Sequence, residues 1–440
     1  MVSHKMMKPF TDKLQRSPFI WKLAVSLYGV RAFNPKRALY KKNEASLTGK
    51  DFRRRTYNLI FDAQCLQTPT RERGIGTYSL KFMEAVCRAR PNDSFAAILT
   101  NIASTRDLAI AKSLVENLKC PNLDVLILNP FGKASKLSLI DAQESLLRDL
   151  ESIRCRAIVV LSPFEKHSAL ITLPRSGKFK QVAILYDLIR LQLPDELLIS
   201  NHQKSAFSWS LNNIIEFDLL LSISKETKRH WANLISPDTH IEVIHGGSND
   251  ERTDVYKNFE ERTGILCVGA ELPHKNLRRL IEAYSQLSEA NQLRHSLTIV
   301  GIRSSGARKA LLNFSRKSTG KVIIPNYLDA LALTEIYKNS RLLVMPSLIE
   351  GLSLPILEAW NHGLVAVGSA NTVAQELIGL ESLLFDPYNV LSMADCMNRL
   401  ITSEESWNDA LMISTSRSLL FTWNSAASLA LNAIEDVVRG

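Results

Sequence analysis

Cysteine is scarce and scattered in this chain of 440 residues. The six are Cys65, Cys87, Cys120, Cys155, Cys267 and Cys396, with no C-x-x-C pair and no histidine at zinc spacing. That pattern argues against a disulfide scaffold or a thiolate zinc module and suits reduced, mostly buried thiols in a reducing compartment. No apolar run reaches the roughly 18–20 residues that a membrane span needs. Met1 to Phe19 is charged and broken by Pro9 and Pro18, unlike a secretory leader. Low-complexity tracts and short solenoid repeats are missing. So are H-E-x-x-H, a Walker loop and a D-x-D pair. These absences remove the zinc-peptidase helix, the P-loop phosphate cradle and the usual carboxylate clamp for a metal-bound diphosphate.

What is present is globular. Apolar residues make up 45% and charged residues 22%. The length suits two domains of roughly 150–200 residues each. The net charge of +10 is unevenly placed: residues 1–55 hold fourteen Lys and Arg against Asp12, Glu44 and Asp51. The remaining 385 residues carry 40 basic and 41 acidic groups. The basic character therefore belongs to an N-terminal arm at 1–55, and the body lacks the basic face of a nucleic-acid domain.

Apolar runs bounded by turn residues predict strands at Tyr57–Ala63, Phe95–Leu99, Leu123–Leu128, Ala157–Leu161, Gln181–Tyr186 and Leu219–Ile223. A second series follows at Ile265–Val268, Leu297–Val300, Val322–Ile324 and Leu342–Met345. Helical periodicity covers Gly76–Ala89, Asn276–Gln286 and Trp423–Val438. Strand–helix alternation implies parallel sheets. The expectation is α/β, with two doubly wound Rossmann-like domains at 56–245 and 246–420, a turn-rich hinge at His245–Asp250, and a last helix within 421–440. Ligands of such sheets bind beyond the carboxyl ends of the strands, here in a cleft between the domains.

Four segments stand at those carboxyl ends. In Met345-Pro-Ser-Leu-Ile-Glu350-Gly351-Leu352-Ser353-Leu-Pro355-Ile-Leu-Glu358, a strand runs through a loop into a helix, with Ser353 as its expected N-cap. Such a helix start offers backbone N–H groups to a diphosphate, and Gly351 lets the backbone approach it. Glu350 can reach a sugar hydroxyl and Glu358 a ribose diol; the plain alternative is a loop charge and a solvated helix face. In Val268-Gly269-Ala270-Glu-Leu-Pro-His-Lys275-Asn276, Lys275 can meet phosphate oxygens as a point charge, with Asn276 as an expected N-cap. Arg71-Glu-Arg-Gly74-Ile-Gly76-Thr-Tyr-Ser79 is a glycine-rich loop opening a helix. It is a poor dinucleotide fingerprint, because its strand ends about ten residues upstream and Ser79 replaces the third glycine. In Leu185-Tyr186-Asp187-Leu188-Ile189, Asp187 either orients a substrate hydroxyl or caps a turn.

Together these segments resemble the retaining glycosyltransferases of family 4, which have the GT-B fold. Arg73-Gly-Ile-Gly-Thr-Tyr78 is similar to the R-G-I-G-R-Y loop, and Val268–Asn276 to the V-G-x-x-x-x-x-K-N/G donor loop. Glu350 to Glu358 is similar to E-x7-E, Leu384-Phe-Asp-Pro387 to the L-F-D-P turn, and Phe421-Thr-Trp423 to the F-x-W start of a helix that crosses back to the first domain. The resemblance covers residues 57–438. It departs at Ala270 (often Arg), Thr77 (Arg), Leu352-Ser353 (F-G) and Arg190 (Pro).

The resemblance implies retaining transfer of a hexose from a nucleotide diphosphate sugar to a glycan or lipid-linked glycan, in surface polysaccharide synthesis. It assigns Glu350, Lys275 and Asp187 to catalysis, and Gly269, Gly351, Leu352, Ser353 and Glu358 to the donor. Gly74 and Gly76 fall to the acceptor side. Asp62-Ala-Gln and Tyr186-Asp-Leu-Ile are similar to pieces of mannosyltransferases, which favours GDP-mannose. No cofactor and no obligatory metal are expected. A non-catalytic scaffold subunit and a sugar-nucleotide epimerase of the same fold stay open.

The arm carries Pro18 to Phe33, apolar and aromatic, flanked by basic clusters at Lys36-Arg37, Lys41-Lys42 and Arg53–Arg55. That is the composition of an interfacial helix on an anionic membrane; the alternative is a helix packed on the first domain. The expected location is cytoplasmic, peripheral on the inner face of the cytoplasmic membrane.

Overall fold

Short apolar runs become strands covered on both faces. Phe95–Thr100 and Leu342–Met345 are buried at every position, the pattern of parallel strands between helical layers. The computed structural model describes residues 39–41, 55–129, 136–164, 176–189, 211, 214–235, 239–248, 256–326 and 328–440. The helix expected at 18–33 lies outside the described residues, as does most of the basic arm.

The chain divides into two units: Met1–His245 with Asn424–Gly440, and Gly246–Trp423. In the first, β1 (Leu39–Lys41) pairs antiparallel with β5 (Lys136–Ser138). The main sheet holds β2 (Thr56–Asp62), β3 (Phe95–Thr100), β4 (Leu123–Leu128), β6 (Arg154–Val160), β7 (Lys180–Leu185), β8 (Leu219–Ser222) and β9 (Ile241–Val243). Their order is β4-β3-β2-β6-β7-β8-β9, all parallel. The described helices between them are α1 (Gly74–Ala89), α2 (Thr105–Glu116), α3 (Leu139–Ser152) and α4 (Lys225–Ala232).

In the second unit, β10 (Ile265–Val268) is followed by α5 (Leu277–Ser285), α6 (Glu289–Arg294), β11 (Leu297–Val300) and α7 (Ser305–Phe314). Then come β12 (Val322–Ile323), α8 (Ala330–Asn339), β13 (Leu342–Met345), α9 (Leu354–Asn361), β14 (Val365–Ser369), α10 (Val373–Ile378) and β15 (Leu384–Phe385). Helices α11 (Val390–Thr402) and α12 (Glu404–Ser418) close the unit. The sheet order is β12-β11-β10-β13-β14-β15, again all parallel. Helix α13 (Trp423–Arg439) belongs from Asn424 onward to the first unit, where Glu435 pairs with Arg90 at 2.7 Å.

Helices lie on these sheets through apolar stripes. Leu277, Leu280, Ile281 and Tyr284 recur at helical spacing and are buried. Ser104, Ser304 and Asp329 cap their helices by accepting backbone N–H groups.

Each sheet starts at its centre, winds to one edge, then crosses back and winds to the other. This is the doubly wound α/β architecture expected from the alternation. The reversal falls between β2 and β6 in the first unit and between β10 and β13 in the second. At such a switch point neighbouring strands send their loops in opposite directions, which opens a crevice at their carboxyl ends.

One device fixes helices near the second switch point. Arg262 is fully buried and donates to the carbonyls of Lys257, Tyr337, Ser340 and His362 at 2.6–3.2 Å. Burial lowers its pKa to about 10, so it stays charged at neutral pH. It staples the end of α8 to the end of α9.

Candidate functional site

Strands β10 and β13 pair directly, Ile265 with Leu342 and Leu266 with Leu343. After β10, Gly269 donates its N–H to Val300 at 2.8 Å. Pro273–Lys275 forms a 3-10 turn, and Asn276 redirects the chain into α5 at φ 57°. Asn276 does not cap α5 with its side chain. A buried amide in left-handed backbone does something else: it donates to the carbonyls of Pro346 at 3.0 Å and Pro387 at 2.8 Å. The N–H of Leu348 adds a second stitch, to the carbonyl of His274 at 2.7 Å.

These stitches bring together two side chains that are 75 residues apart. Lys275 Nζ lies 2.6 Å from Glu350 Oε1, and the side chains are only 18% and 10% exposed. At that burial the pair is unlike the loose, solvated ion pairs that contribute little. Ser347 Oγ donates to the same oxygen at 2.7 Å. Oε1 is thus held twice, while Oε2 has no hydrogen-bond partner among the described residues. Lys275 keeps its further N–H donors. Burial, and then Lys275, push the neighbouring His274 down to about 4, so it is neutral and Lys275 supplies the positive charge here.

Helix α9 starts behind this loop with Pro355 in its first turn. Gly351 is buried and Leu352 packs on the core. Ser353 occupies the N-cap position but makes no capping bond, a correction to the sequence expectation. Its backbone at ψ 82° departs from the extended geometry of a capping residue. The buried hydroxyl has no partner, and the first N–H groups of α9 lack a side-chain acceptor.

Glu358 sits further along α9 and is not a solvated face. It is half-buried, and Tyr337 of α8 donates its hydroxyl to Oε2 at 2.8 Å. Burial pushes the Glu358 carboxyl up, against the opposing pull of the Tyr337 bond. Oε1 has no hydrogen-bond partner among the described residues.

The glycine that the geometry demands is not Gly269. A Cβ on Gly269 would meet only the Lys275 side chain at 3.6–3.9 Å, ordinary contact. Gly301, after β11, has φ +107°, and a Cβ there would lie 2.8 Å from the Gly269 carbonyl oxygen. Only glycine fits that approach.

In the first unit, Gly74 and Gly76 lie inside the first turn of α1 rather than in a loop. A Cβ on Gly76 would come within 2.3 Å of the Arg71 carbonyl oxygen, so this glycine serves the chain's own turn. Asp187 follows β7 and accepts the Ile189 N–H at 3.2 Å. Sequence reasoning missed Ser347, Tyr337 and Gly301. A serine three residues before Glu350 was a local signal; Tyr337, 21 residues from Glu358, gave none. Among the described residues, no group of three or more His, Cys, Asp or Glu is placed to hold a metal ion.

Residues 248–411 match the family described as glycosyl transferases group 1. The serotype-specific mannosyltransferase WbdA of Escherichia coli is 22% identical over 409 residues, 87% of this chain and 48% of the relative. The O-antigen chain mannosyltransferase B of Escherichia coli is 30% identical over 174 residues, 38% of this chain and 44% of the relative. The chain spans about half the length of these curated relatives, or less. Sucrose-phosphate synthase from Thermosynechococcus elongatus shares the fold at a TM-score of 0.63 and 13% identity, over 87% of this chain and 99% of that one. Lys275, Glu350 and Glu358 all fall within 248–411, the segment that matches the group 1 glycosyl transferase model, on a chain of two Rossmann-like units.

Proposed function

We propose that this chain is a retaining glycosyltransferase that moves mannose from GDP-mannose to a glycan or lipid-linked glycan in surface polysaccharide synthesis. The observation that carries the reading is the Lys275–Glu350 pair at the second switch point, with Glu350 Oε2 and the further N–H donors of Lys275 unused among the described residues. A nucleotide diphosphate sugar complements it. Lys275 and the Leu354 N–H at the start of α9 face the diphosphate; Pro355 has no N–H, and Ile356 donates its own to the Ser353 carbonyl at 3.1 Å. The spare oxygen of Glu350 accepts a sugar hydroxyl, and that of Glu358 accepts the ribose diol. Among the described residues no cation pairs with Glu358 and its one hydrogen-bonding partner is the Tyr337 phenol, so it suits hydroxyl donors.

In the reaction, the anomeric C–O bond to the diphosphate breaks and the acceptor oxygen bonds to the same face. The departing diphosphate oxygen takes the acceptor's proton. The protein positions the reactants and stabilises the charge that develops on the leaving group. Lys275 does the latter as a point charge. Asp187 and the start of α1 fall to the acceptor side.

The mannose assignment rests on the mannosyltransferase relatives and the Asp62-Ala-Gln piece. The missing D-x-D pair motivates a metal-independent reaction, so transfer survives EDTA; loss on chelation, restored by manganese or magnesium, contradicts that. The basic arm is assigned to an anionic membrane surface. The full chain then binds anionic vesicles at low salt and a chain starting at Tyr57 does not; equal binding removes the arm from the account.

A thermal-shift panel of GDP, UDP and ADP tests the donor. A ligand at about 100 times its dissociation constant stabilises by about 2.7 kcal/mol. The account expects GDP to raise Tm most. No shift with any of the three contradicts the site.

A further inference from the structure

Tyr337 stands outside every motif that the sequence offers, yet it is the residue that holds Glu358. Its ring is 2% exposed. It stacks on His362 at 5.5 Å between centroids and 27° between planes. Its backbone carbonyl accepts from Arg262 at 3.2 Å, and the same guanidinium binds the His362 carbonyl at 2.6 Å. The phenol is therefore fixed at both ends, by a stacked ring and by the staple that joins α8 to α9. A hydroxyl has one proton to give, and this one goes to Glu358 Oε2 at 2.8 Å.

A carboxylate on a helix can turn about its terminal bond through a broad range. The Tyr337 bond removes that freedom. It commits one oxygen to the protein and leaves Oε1 as the acceptor for a ligand. Preorganisation of this kind raises affinity by lowering the ordering cost of binding.

We propose that Tyr337 is a positioning residue that orients Glu358 and thereby sets how strongly the site prefers a ribose over a 2′-deoxyribose. The inference rests on the assignment of Glu358 to the donor's ribose. It adds a residue, on a different helix, that acts only through Glu358. The bond also opposes the upward push of burial on Glu358. Without it the carboxyl protonates at higher pH, and a protonated carboxyl accepts hydroxyl hydrogens poorly. Binding by Tyr337→Phe then fails at higher pH than binding by the native chain.

The test is calorimetry with the nucleoside diphosphate that stabilises the native chain most, and with its 2′-deoxy form. Four proteins are compared: the native chain, Tyr337→Phe, Glu358→Gln and the double variant. Phe keeps the stacked ring and loses only the hydroxyl. The expected result is about tenfold weaker binding of the ribose form by Tyr337→Phe, in the range for a charged hydrogen bond. The 2′-deoxy form, which keeps only the 3′-hydroxyl for Glu358, should lose less than the ribose form, and the double variant should be no weaker than Glu358→Gln alone, the signature of coupled residues. Equal losses for both ligands by Tyr337→Phe would mark a merely structural role and overturn the proposal, as would full additivity in the double variant. An unchanged ribose preference in Glu358→Gln would instead remove the ribose assignment itself, and the proposal with it.

Discussion

The same order of six strands recurs in both units, the first adding β9 at its edge, but the loops at the two switch points end in opposite states of hydrogen bonding. Beyond β2, Gln64 donates its N–H and its Nε2 to Asp62 Oδ1 at 3.1 and 3.0 Å. Its Oε1 accepts the Thr100 hydroxyl at 3.0 Å. Gln67 exchanges both of its amide groups with the Thr100 backbone at 2.7 and 3.0 Å. All four residues are buried. Beyond β10 and β13, Glu350 and Glu358 each anchor one oxygen to the protein and leave the other unpaired among the described residues. A buried network in which Asp62, Gln64, Gln67 and Thr100 hydrogen-bond to one another builds the fold. Two half-satisfied carboxylates, Glu350 beside Lys275 and Glu358 beside Tyr337, leave acceptor oxygens for water or a substrate to complete.

Substitutions on the two sides should therefore fail differently. Glu350→Ala should lower transfer by at least two orders of magnitude, about 2.7 kcal/mol of transition-state stabilisation. Its melting temperature should change little, because a loop carboxylate carries no core. Near-normal turnover in this variant would erase the distinction between the two switch points. Gln67→Leu should do the reverse. It leaves the buried N–H and C=O of Thr100 without partners, at a cost of roughly 2 kcal/mol in denaturant unfolding. Turnover per folded molecule should hold. Lost turnover at native stability would mean that the first network also touches substrate.

Ser347→Ala sharpens the comparison at smaller scale. It removes one of the two anchors on Glu350 Oε1 and keeps Lys275. A fall in kcat of about fivefold, or ~1 kcal/mol, is expected with unchanged stability. An unaltered kcat would show that Lys275 alone fixes the carboxylate.

Much of this contrast was legible beforehand, for a physical reason. Strands buried on both faces read as unbroken apolar runs, and β2, β3, β4, β10, β11 and β13 were found that way. Strand β14 was not. Its run Val365–Ser369 ends in Gly368 and Ser369, which look like a turn. In the fold, a Cβ on Gly368 would lie 2.5 Å from the Ala374 methyl, so the glycine marks where α10 packs on the sheet. The two- and three-residue strands β15 and β9 are too short to show a pattern.

Within the site, Lys275, Glu350 and Glu358 were legible because each follows a strand in a local motif. The hydrogen bonds that orient them were not. Asn276 and Ser353 both looked like caps, but backbone dihedrals decide whether a cap forms, and sequence does not display them. Tyr337 reaches Glu358 only because α8 and α9 flank β13, a tertiary fact without a local trace.

The central claim is that the second switch point binds the diphosphate of a nucleotide sugar through Lys275. Calorimetric titration of GDP into the native chain and into Lys275→Met tests it most directly, with Tm of both proteins as the check on folding. The account predicts measurable binding by the native chain and at least about tenfold weaker binding by the variant, the loss of a charge-assisted contact. Equal affinity in two equally folded proteins would contradict it.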